Sequence, residues 1–102
     1  MNKTIEYLER LKATYDGASG YRMAKLLGIS EAAIYKYRKE LSFMDVNIAY
    51  RLAILIDEDP AKVIAETQLD HPQKPETEHL FRWVLEVSKT PGAPELPRVQ
   101  TA

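Results

Sequence analysis

Apolar residues recur along the chain at spacings of three and four, and no stretch alternates with period two. The pattern therefore predicts helices and no sheet. Ile5, Leu8, Leu11 and Tyr15 fall on one face of a first helix over about 4–15. Asp16-Gly17-Ala18-Ser19-Gly20 reads as a loop, with Ser19 placed to cap a second helix over about 20–27. Gly28 follows it, where a left-handed residue closes a helix. Ser30 caps a third helix to about residue 39. Ser42 and Asp45 stand three apart, like a capping box, and predict a fourth helix opening there and reaching about residue 56. With Val46, Ile48, Ala49, Leu52, Ala53, Leu55 and Ile56 it is apolar almost all round, which predicts burial at the domain centre. Asp59-Pro60 is a helix start, cap then Pro at the first turn, for a fifth helix to about residue 66.

Residues 70–74 hold Pro72 and two charges and read as a linker. Pro75 opens a sixth helix, 75–89. Residues 90–102 hold Pro91, Pro94 and Pro97 with few large apolar side chains, and a disordered tail is expected there. The outcome is an all-α chain: a five-helix domain over 1–69, the linker, one additional C-terminal helix and the tail.

Residues 20–39 carry more information than a generic helix pair. Ala24 is small where two helices cross closely, and Gly28 supplies the tight turn between them. Met23, Leu27, Ile29, Ile34 and Tyr37 are apolar where such a unit faces the rest of its domain. On these residues the chain resembles the Cro/C1-type (XRE-like) helix-turn-helix proteins of phages and bacteria. Ala24, Gly28 and Ile34 match the family's most characteristic positions. Ile48, Ala49, Leu52, Ala53, Leu55 and the run Asp59 to Ile64 are similar to its fourth and fifth helices. The resemblance covers about residues 1–67. Two positions depart from it: Gly20 stands where the family often has a phosphate-gripping Gln, and Arg38-Lys39-Glu40 stands where it often has Glu-Arg-Gly. The resemblance implies a Cro/C1 repressor-like fold and a phage or prophage transcriptional regulator bound to double-stranded DNA.

In a helix-turn-helix the start of the second helix of the motif meets base edges in the major groove. Helical periodicity turns Ala33, Ile34 and Tyr37 inward and Glu31, Ala32, Tyr35, Lys36 and Lys39 outward. Ser30, Glu31, Ala32, Tyr35 and Lys36 are therefore the candidate base readers: Lys36 for guanine O6 or N7, Ala32 for a thymine methyl, Glu31 for cytosine N4. Glu31 also suits a helix N-terminus with no DNA present. Arg22, Lys25, Arg38 and Lys39 are placed for backbone phosphates.

Charge locates this face. The net charge of −1 looks unfavourable for a polyanion partner, but it hides an asymmetry. Residues 1–39 carry eight Lys/Arg against four Asp/Glu, and residues 40–102 carry six against eleven. Any polyanion-binding surface is expected in the first forty residues.

Composition mainly excludes. With no cysteine there is no disulfide or thiolate metal site, and a cytoplasmic location is expected. The longest aliphatic run, Ala53 to Ile56, is far too short to span a bilayer. His71 and His79 fit no zinc signature and there is no glycine-rich phosphate loop, so neither an enzyme nor a cofactor is expected. In the sixth helix the apolar residues Leu80, Phe81, Trp83, Val84, Leu85 and Val87 span about 200°, roughly twice what one packing stripe requires. The excess predicts a homodimer through Leu80, Phe81, Trp83, Val84 and Val87, matched to a palindromic operator. The competing reading is a protein-interaction adaptor or antirepressor on the same scaffold, favoured by the acidic second half.

Overall fold

The computed structural model describes residues 2–88, which form six helices and no strand: α1 Lys3–Thr14, α2 Gly20–Leu27, α3 Glu31–Arg38, α4 Val46–Leu55, α5 Pro60–Gln68 and α6 Pro75–Ser88. The expected tail, 90–102, lies outside the described residues. None of the described helices is long and apolar enough to cross a membrane.

Five helices begin on a side-chain cap. Asn2, Ser19, Ser30, Asp45 and Asp59 each accept a hydrogen bond from a backbone N–H of the first turn that follows. Such a cap contributes about 1 kcal/mol. Four helices end on a left-handed residue: Asp16, Gly28, Glu40 and Asp57, with φ of 57°, 72°, 59° and 55°. At each, the next residue's N–H reaches back five positions: Gly17 to Lys12, Ile29 to Ala24, Leu41 to Lys36 and Glu58 to Ala53. This satisfies carbonyls that a helix end otherwise orphans. Only one of the four residues is glycine, so sequence composition pointed to only one of these stops.

The core gathers Leu8 and Leu11 of α1, Met23, Ala24 and Leu27 of α2, Ile34 and Tyr37 of α3, Ile48, Ala49, Leu52 and Ala53 of α4, and Val63 of α5. Each fully buried Leu or Met contributes about 1.5–3 kcal/mol. The buried face of α1 is Thr4, Tyr7, Leu8 and Leu11, one position round from the expected stripe, and Ile5 is only half-buried. The cause is distant in sequence. Asp70 accepts hydrogen bonds from the Lys3 and Thr4 backbone N–H groups at 2.9 and 2.8 Å and from Thr4 Oγ1 at 3.2 Å, drawing Thr4 inward. Residues 70–74 are therefore no free tether. Gln73 Nε2 also donates to the Gln68 carbonyl (2.7 Å), and the His71 ring lies 4.9 Å from that of Phe43.

The fourth helix corrects two expectations. It opens at Val46 rather than at Ser42, because Asp45 is itself the cap, accepting from Ile48 N at 2.9 Å. The left-handed Glu40 ends α3, and the segment after it dips inward to bury Met44 completely. Gln68 Nε2 on α5 donates to the Met44 carbonyl (2.9 Å) and holds it there. Nor is α4 buried all round. Ile48, Ala49, Leu52 and Ala53 face inward, whereas Val46, Tyr50 and Ile54 are 46%, 52% and 57% exposed.

Candidate nucleic-acid interface

Helices α2 and α3 pack against each other, with Ala24, Met23 and Leu27 buried on α2 and Ile34 and Tyr37 on α3. The turn between them is closed by Gly28. Its N–H donates to the Lys25 carbonyl (3.3 Å), and the next residue, Ile29, donates to that of Ala24 (2.9 Å). A Cβ at Gly28 would sit 2.8 Å from Arg51 Nη1 on α4. That guanidinium donates to the Leu27 carbonyl (3.0 Å), placing a cation at the negative end of α2. Gly20 is under no such constraint, since a Cβ there would make ordinary contact with Ile34 at 3.8 Å.

All five candidate base readers lie on the exposed surface. Ser30 Oγ accepts from Ala33 N at 3.1 Å, so its oxygen is engaged as a cap while its O–H remains available as a donor. Glu31, Ala32, Tyr35 and Lys36 follow on the outward arc of α3, and Tyr35 is 58% exposed. Ile34 and Tyr37 face inward, with Ala33 at the margin. Burial, with Asp45 nearby, pushes the Tyr37 phenol up from its ordinary value. Arg22, Lys25, Arg38 and Lys39 are likewise exposed.

Electrostatically the face is distinct. Among the described residues, the ion pairs join Lys3 to Glu6 and Glu66, Arg10 and Lys62 to Glu58, and Arg82 to Glu78. None uses a cation of α2 or α3. There the cations meet aromatic rings instead: Arg22 lies 5.7 Å from the Tyr15 centroid, Lys25 4.9 Å from Tyr21 and Lys39 5.8 Å from Tyr35. Lys36 and Arg38 make neither kind of contact with a described residue. Tyr21, 54% exposed, is the residue of this face that the sequence reading passed over. Its signal in the sequence is the Lys four positions on, one helical turn away.

The proposed dimer residues are divided. Val84 is buried where α6 packs along α5; Phe81, Trp83 and Val87 are half-buried, and Leu80 is exposed. Packing on α5 thus uses much of the wide apolar arc, leaving a narrower strip for another molecule. Val84 faces its own domain.

No protein-family model, no curated protein and no solved structure matches this chain, so what the helix pair does rests on its own geometry and charge.

Proposed function

We propose that the protein is a sequence-specific double-stranded DNA-binding regulator, of the phage or prophage repressor kind, that lays α3 in the major groove. The observation that carries this reading is the unneutralised α2–α3 surface. Arg22, Lys25, Lys36, Arg38 and Lys39 are all exposed and none is matched by a carboxylate among the described residues, in a chain whose net charge is −1. Leaving like charges together without counter-charges is unfavourable unless a polyanion completes them. The small Ala32 and the donors of Tyr35 and Lys36 suit base edges. Glu40, which stands where the resembling family often has glycine, is left-handed at φ 59°, a conformation that glycine also takes readily.

The test is a titration with duplex DNA at several salt concentrations. Affinity should fall with a log–log slope of about −0.9 per phosphate contacted. A second reading, an adaptor that binds another protein, is favoured by one feature. Leu26 of α2 and Tyr50, Arg51, Ile54 and Leu55 of α4 line a shallow groove of about 250 Å³. Absence of any duplex binding at low salt would leave the adaptor as the better account.

A further inference from the structure

The chain's six tyrosines divide evenly. Tyr7 and Tyr37 are buried and Tyr15 is half-buried; the Tyr7 hydroxyl donates to Glu66 at 2.7 Å and that of Tyr15 to the Leu55 carbonyl at 3.5 Å. Tyr21, Tyr35 and Tyr50 are exposed, and their hydroxyls bond to none of the described residues. Two of these three have a lysine four residues later. The Lys25 ammonium stands over Tyr21 at 4.9 Å and the Lys39 ammonium over Tyr35 at 5.8 Å, whereas Tyr50 has Ile54 at that offset. Among the described residues, an exposed phenol joined to an ammonium therefore occurs only on the two helices of the motif.

Such a pair sets a neutral O–H donor beside a full positive charge. The ring face attracts the ammonium, so less side-chain freedom remains to be lost when that ammonium engages a ligand. The hydroxyl and the ammonium each have a proton to donate, and together they suit a diffuse anion with several acceptor oxygens. On the DNA-binding reading above, on which this inference rests, that anion is a backbone phosphate. We propose that Tyr21 and Lys25 form a phosphodiester clamp on α2. It acts beside Gly20, the position that carries no side chain of its own to hold a phosphate. The clamp positions the protein on the duplex and reads no sequence.

The test uses the full chain as Tyr21→Phe, Lys25→Gln and the double variant, with fluorescence anisotropy on two duplexes of equal length. One is selected from a random pool by the wild-type protein; the other is scrambled. Tyr21→Phe should weaken both duplexes alike, by about threefold to tenfold, through loss of one charge-assisted donor. Lys25→Gln should flatten the salt dependence by about 0.9 of a log–log unit. Because both groups hold one phosphate, the double variant should lose less than the product of the single losses. Unchanged thermal midpoints would establish that folding is intact, as expected for two exposed side chains. Wild-type affinity of Tyr21→Phe for both duplexes, while Lys36→Ala still weakens the selected one, would overturn the clamp and leave DNA binding standing. A loss confined to the selected duplex would also overturn it, because Tyr21 would then be a base reader. If the wild-type protein bound no duplex but bound an acidic peptide, both the clamp and the DNA reading would fall.

Discussion

Two sides of this molecule treat charge in opposite ways. Where α1 meets α5, cations and carboxylates close on each other: Lys3 on Glu66 at 3.0 Å, Arg10 on Glu58 at 3.1 Å, and the Tyr7 hydroxyl on Glu66 at 2.7 Å. On α2 and α3 the cations stand beside tyrosine rings or, among the described residues, without an ion-pair partner. The first arrangement is complete within the chain and contributes to holding it together. The second is left open among the described residues, and the proposed DNA-binding reading rests on that difference. Exposed pairs contribute little to stability, so the carboxylates around α1 matter mainly where they are partly covered, as Glu66 is.

Substitutions can break this contrast or sharpen it. The largest effect is expected at Asp70→Ala, which removes the acceptor for two backbone N–H groups of α1 and leaves the buried Thr4 hydroxyl without it. A loss of about 3 kcal/mol in urea unfolding follows, with the salt slope of DNA binding unchanged in the folded protein. Lys36→Ala should do the reverse. It should cost about 2 kcal/mol on the selected duplex, relax the preference at one base pair and leave the unfolding midpoint in place. Equal losses on selected and random duplexes would make Lys36 a phosphate contact.

A smaller effect is expected at Tyr7→Phe, about 1 kcal/mol at neutral pH for a part-buried hydrogen bond to a carboxylate. Its pH dependence is more telling. Burial, then the hydrogen bond to Glu66, pushes the Tyr7 phenol above its ordinary value of 10.0. The folded protein therefore holds that proton more tightly than the unfolded chain does. The stability this contributes is complete below pH 10 and is lost as pH rises through the folded value. Wild-type stability should fall above pH 10, and the fall should be shallower in Tyr7→Phe. Glu58 works at the other end: the Asp59 backbone N–H, and then Arg10, hold its carboxyl below the ordinary 4.5. Its contribution is present above pH 4.5 and lost on acidification.

The smallest change expected is a gain. Glu40 sits at φ 59°, which a side chain resists by about 1 kcal/mol, and glycine there relieves that strain at some cost in unfolded-chain entropy. Glu40→Gly should raise stability by about 0.5 kcal/mol, measured as the urea midpoint.

Local physics made much of this legible in the sequence. Caps act over three residues and periodicity over one turn, so Ser19, Gly28, Ser30 and Asp59 marked helix ends that the structure keeps. The same periodicity separated the inward Ile34 and Tyr37 from the outward Glu31, Ala32, Tyr35 and Lys36. Contacts between distant residues were not legible. Asp70 reaches across 67 positions to Lys3 and rotates the buried face of α1, while Gln68 anchors Met44 and delays α4 until Asp45. No window of sequence encodes those partners, because they become neighbours only when α5 packs into place. The same holds for charge. Composition located an excess of cations in the first forty residues, but only the tertiary structure decided which are neutralised. It matched Lys3 with Glu66 and Arg10 with Glu58 and left Arg22, Lys25, Lys36, Arg38 and Lys39 without a carboxylate among the described residues.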